Sequence, residues 1–221
     1  MRFTLPALIL SFLFGALFLV TSFISYKNKY KVAYNIRNMF PYELNYKSRF
    51  VENFYGNTTL ILATISFIFF FSTFDLKFTN GFFIMIMISG ILASLLFLAL
   101  VFIPLEYMRL HSIVFIPFLI SSFLLATSIS IGSFIYNQQI GETSPIPFAI
   151  FLLGFVLTLL ILVLLLNPKL NLNIRMKETI DEDGSIKYVR PRMITIAFSQ
   201  WLLFFSLFIS EILLFVLTLS F

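Results

Sequence analysis

Cysteine is absent from the chain, and histidine occurs once, at His111. The first absence excludes disulfides, thiolate nucleophiles and cysteine-ligated metals. The second leaves no histidine cluster for a metal site, so neither a metal nor another cofactor is expected. Charge is scarce too: Asp, Glu, Lys and Arg are 11% of the residues, against about 25% in an ordinary soluble domain. Catalytic signatures are missing as well. The chain contains no GxSxG, no HExxH and no phosphate-binding loop, so the sequence leans away from an enzyme.

What fills the space is apolar. Sixty per cent of the 221 residues are hydrophobic, and 31 are Phe. A soluble domain of this size must clothe its surface with polar groups, so burial alone cannot absorb that surplus. A bilayer can. The abundance of Phe, Ile, Leu, Asn and Lys also resembles the bias of an AT-rich bacterial genome, which points to a bacterial inner membrane.

A helical span needs about 20 mostly apolar residues. Six stretches qualify, at about 3–24, 58–74, 81–104, 112–136, 145–166 and 193–220. None alternates with period two, which favours helices over a barrel. The first run exceeds the usual apolar length of a signal peptide and lacks a small-residue cleavage site before Lys27, so it reads as a span. Pro145 and Pro147 suit the first turn of the fifth helix, and Pro117 is expected to kink the fourth. The sequence therefore predicts an all-α integral membrane protein. It is read as a single domain, a six-transmembrane-helix bundle with a short interfacial helix and a small cytoplasmic β-hairpin.

Thirteen of the fifteen Lys and Arg residues fall in 25–57, 105–111 and 167–192; only Arg2 and Lys77 fall on the other side. The positive-inside rule then puts those three loops in the cytoplasm and both termini outside. The net charge of +5 is thus explained by orientation, and nucleic acid is not expected as a partner. In the first loop, Val32, Ile36, Met39 and Phe40 would share one helical face. That predicts an interfacial helix ended by Pro41, its Lys residues against anionic headgroups, or else a partner-binding helix. In the third, Asp183-Gly184 is a two-residue turn signal between Asn173–Lys177 and Ile186–Val189. The acids Glu178, Asp181, Glu182 and Asp183 lack the ligand spacing of a calcium loop and read as a solvated turn. The Asn57-Thr58-Thr59 sequon falls at a boundary on the inner side and is discounted.

Glu211 is the only acid well inside a span. A charge at mid-bilayer costs about 2.5–3.5 kcal/mol on insertion scales, so the residue should be protonated, paired or facing a wet cavity. A structural hydrogen bond to a Ser or Thr, for instance in the fourth span, is the preferred reading over a functional one. Gln200 lies about 20° away around the helix, which makes a polar stripe. Ser121 and Ser128 share one face of the fourth span, as do Ser122 and Ser133; they suit close packing better than a substrate path. Glu106, Arg109 and His111 gather at the inner boundary, as anchors or as a gate. Three functions follow in order of preference: a non-catalytic accessory component docking a cytoplasmic protein through its loops, a small transporter centred on Glu211, and a lipid-acting enzyme. The oligomeric state is not legible.

Overall fold

The computed structural model describes residues 3–45, 53–73, 81–103, 107–140, 144–167, 170, 177–180 and 186–219. Its helices are α1 (Thr4–Tyr30), α2 (Phe54–Thr73), α3 (Gly81–Phe102), α4 (Met108–Gln139), α5 (Pro145–Leu165) and α6 (Thr195–Thr218). All six are long and apolar enough to cross a membrane, so the chain is built as a polytopic membrane protein. Strands β1 (Lys177–Ile180) and β2 (Ile186–Val189) pair antiparallel, with Lys177 opposite Val189. The expected Asp183-Gly184 turn lies outside the described residues, as do the acids Asp181 and Glu182.

Helices α1 to α5 pack in chain order, each on the next, and α6 packs against α1, α3, α4 and α5. The sixth helix is the most deeply buried span and α1 and α5 are the least. Composition explains the difference. In α5 the apolar run is broken by one hydroxyl, Thr158, whose Oγ1 bonds back to Gly154 O at 2.8 Å. By contrast, α6 carries Ser199, Gln200, Ser206, Ser210, Glu211 and Thr218, all buried. Hydrocarbon cannot satisfy those groups, so they turn inward and carry their helix to the middle.

Small residues set the closest approaches. A Cβ on Gly154 of α5 would sit 3.1 Å from Ser130 Cα of α4, and Ser130 Oγ donates across the seam to Phe151 O at 3.1 Å. Gly15 lies under the Phe208 ring and Gly90 under Phe71. Contacts of this kind replace the hydrophobic drive that lipid removes. Ser144 caps α5 by accepting from Ile146 N–H, with Pro145 in the first turn. The fourth helix passes through Pro117 without interruption.

The interfacial helix is not formed. The first helix runs on to Tyr30 and stops at Lys31, which adopts a left-handed conformation (φ 58°) and returns its N–H to Lys27 O. Residues 32–40 are turns and irregular backbone, and Pro41 begins a short 3-10 helix, Pro41–Asn45, rather than ending an α-helix. The segment is held by other bonds: the carbonyls of Arg37, Asn38 and Met39 accept from Ile194 N–H, Arg190 and Trp201, and Phe40 O accepts from the Tyr34 hydroxyl, so its backbone groups are satisfied without a helix. A second departure concerns α4, which starts at Met108 and not near 112. His111 is therefore a helical residue and not part of a loop.

Candidate functional site

The polar groups of the chain converge on α6 at two depths, and its N-terminal end is tied to the first loop by a third set of bonds. Nearest that end, Trp201 Nε1–H is shared between Met39 O at 3.1 Å and Tyr34 Oη at 3.2 Å. Tyr34 in turn donates to Phe40 O at 2.7 Å. Its burial pushes the phenol well above its ordinary pKa, so the group stays a neutral donor. Arg190, four residues before Ile194, reaches Glu43 through both guanidinium nitrogens: Nη1 donates to Oε2 at 2.8 Å and Nη2 to Oε1 at 2.5 Å. The fork geometry makes this a strong, directional pair, and the bond to Glu43 raises the Arg190 pKa still further. Glu43 Oε2 also accepts from Phe40 N–H at 3.1 Å, three residues back, in the manner of a capping box. Asn38 Nδ2 donates to Pro191 O at 3.2 Å and Ile194 N–H to Arg37 O at 2.9 Å. Residues 34–43 and 190–194 are thus one clamped unit.

On the next position of α6, Gln200 faces His111 of α4, and both are fully buried. Gln200 Nε2 lies 2.8 Å from His111 Nε2, so the amide donates and the imidazole accepts through Nε2. The Phe40 ring stands edge-on to the imidazole, 5.9 Å between centroids, and Gln200 Oε1 has no hydrogen-bond partner among the described residues.

Eleven residues further along α6, about 16 Å at 1.5 Å per residue, lies Glu211, also fully buried. Its Oε2 is 2.5 Å from Ser11 Oγ on α1. The same hydroxyl is 2.8 Å from Leu8 O. Glu211 Oε1 meets no partner among the described residues.

The residues singled out in the sequence are therefore only partly brought together. Gln200 and Glu211 share a helix, yet they bond to different neighbours, α4 and α1. Ser121 and Ser128 are buried on α4, and Ser121 Oγ folds back onto Pro117 O at 2.7 Å. Ser122 and Ser133 do likewise with Phe118 O and Ile129 O. The hydroxyl that meets Glu211 is on the first span, not the fourth. Arg109 is exposed on the first turn of α4 while His111 faces inward, so the two do not form a cluster; Glu106 lies outside the described residues. Missed in the sequence were Ser11, Tyr34, Glu43 and Arg190. Ser11 had a signal: it is the only polar side chain between Thr4 and Thr21 in the first span. Among the described residues no group of three or more His, Asp or Glu could hold a metal ion.

No family model matches the chain, and no curated protein or solved structure shows significant similarity to it.

Proposed function

We propose that the chain is a non-catalytic membrane component, an accessory subunit that docks a partner protein through the end of the bundle formed by residues 31–45 and 190–194. The clamp carries this reading. A bidentate ion pair, with bonds from Ile194 N–H, Arg190, the Trp201 indole and Asn38 to backbone carbonyls, fixes segments far apart in sequence as one surface. A surface ordered in advance spends less of its binding energy on loop entropy. The centre of the bundle supports the same reading, because Phe18, Phe97, Phe118, Trp201 and Phe204 fill the space around α6 and are each at most 2% exposed. In this reading the clamped end faces the cytoplasm of a bacterial cell, its cations lie against anionic headgroups, both termini face outward, and the hairpin of β1 and β2 extends the docking surface.

Purification in mild detergent with mass analysis of associated proteins tests it. A protein should co-purify with the wild type and with Glu211→Gln. It should be lost when Arg190→Met is combined with removal of residues 177–189. Retention by that doubly altered chain, or no associated protein with the wild type, overturns the reading.

A small transporter is the second reading, favoured by one observation: a carboxyl, Glu211, buried at depth without a cation. Gln200, Ser121 and Ser128 would then flank the path. Loss of a solute flux in Glu211→Gln, with the protein still inserted and stable, would replace the docking reading with this one. A lipid-acting enzyme is third and weakest, since His111 bonds to an amide and not to a nucleophile.

A further inference from the structure

We propose that Glu211 is a proton-binding site, held as the un-ionised acid with its O–H donated to Ser11 Oγ at the seam between α1 and α6. The docking reading does not require this, and the two can fail separately.

Hydrogen counting favours the acid. The Ser11 hydroxyl has one hydrogen and two oxygens within reach, Leu8 O at 2.8 Å and Glu211 Oε2 at 2.5 Å. A backbone carbonyl can only accept. If Ser11 donates to Leu8, the hydrogen between Ser11 and Glu211 must come from the carboxyl, and a continuous chain forms: Glu211 O–H to Ser11, Ser11 O–H to Leu8. If Glu211 were ionised, its charge would hold a single neutral donor, with Oε1 left bare among the described residues. A fully buried carboxylate in that state carries a desolvation cost that one neutral donor does not offset.

Among the described residues of the six helices no counter-charge is placed to change this. Between Thr4 and Phe23, α1 has no ionisable side chain; α3 and α5 have none at all, and the only one on α2 is Tyr55. Tyr55 stands at the N-terminal end of α2 and is 75% exposed. On α4 the ionisable groups are Arg109, His111 and Tyr136. The first two belong to the Gln200 level, about 16 Å away along α6, and Tyr136 lies twenty-five residues beyond His111, about 37 Å along its own helix. On α6 Glu211 stands alone.

The surroundings of the seam are apolar as well. A groove of about 300 Å³ opens between α1 and α6, lined by Phe12, Gly15, Phe205, Phe208 and Ile212 among others, every one apolar. Phe12 and Ile212 directly follow Ser11 and Glu211 in the chain. An uncharged acid is compatible with such a wall, and a carboxylate is not. The ligand is thus the proton itself, and its loading leaves the α1–α6 seam free of net charge.

Infrared difference spectroscopy on the full chain in liposomes at neutral pH tests this. Subtracting Glu211→Gln from the wild type should leave one carbonyl-stretch band of a protonated carboxyl, and Ser11→Ala should move that band. A difference spectrum showing the two carboxylate stretches instead, with no acid band, overturns the proposal. Should Glu211→Gln fail to insert, wild type and Ser11→Ala compared with carbon-13-labelled glutamate give the same decision. A labelled acid band that moves with Ser11→Ala supports the site, and spectra without such a band refute it.

Discussion

Arg190 and Glu43 meet through two parallel bonds although 147 positions separate them, and each also holds loop backbone in place. Removing either partner strips a charged hydrogen bond from a half-buried site. A loss of about 1–3 kcal/mol is expected from such a change, nearer the lower end because the Arg190 side chain is 32% exposed and partly screened by solvent. Glu43→Gln and Arg190→Met should each lower the unfolding midpoint in mild detergent, and the double variant should lose less than the sum of the two. Strictly additive losses would mean that the pair contributes nothing as a pair. Legibility at this scale is uneven for a physical reason. Glu211 announced itself because a carboxyl inside an apolar run has few ways to survive. Glu43 and Arg190 sit among other polar residues, where pairing across 147 positions leaves no periodic trace.

Among the elements, the α4–α5 contact is the one most dependent on a missing side chain. Gly154→Ala places a methyl 3.1 Å from Ser130 Cα, against backbone and not a movable ring tip. The helices must separate by a few tenths of an ångström, and the Ser130–Phe151 bond lengthens with them. Overpacking of this sort costs about 1–3 kcal/mol, so Gly154→Ala should be clearly less stable than the wild type in the same unfolding assay. An unchanged midpoint would show that the seam is looser than described. Gly15→Ala tests a softer case, since the atom it meets is the far end of the Phe208 ring. Helix existence was read from apolar run length alone, and each run proved to be a helix because length in lipid leaves the backbone no alternative. The interfacial helix did not form. Residues 34–43 bond instead to α6 and to the segment before it, and the spacing of Val32, Ile36 and Met39 could not register those distant partners. The end of α4 was misplaced because Arg109 looked like a loop residue, whereas an exposed arginine on a helix end is compatible with a span that outruns the membrane.

For the molecule as a whole, the absence of cysteine offers a direct check of orientation. Val32 at one end and Leu219 at the other are both more than half exposed, so single-cysteine variants there should fold normally. A membrane-impermeant maleimide is expected to label Leu219→Cys in intact cells and Val32→Cys only after lysis; the opposite pattern would invert the map drawn from the Lys and Arg count. The most buried helix is α6, and it is synthesised after the five helices that precede it, four of which it packs against. Until α6 arrives, Gly15, Phe67 and Phe97 lack the Phe208 and Phe204 rings they pack against in the finished bundle. Cotranslational insertion and tertiary folding are therefore separate events in this chain: the first proceeds helix by helix, and the second waits for Trp201 to reach Tyr34 and for Glu211 to reach Ser11, two hundred residues upstream.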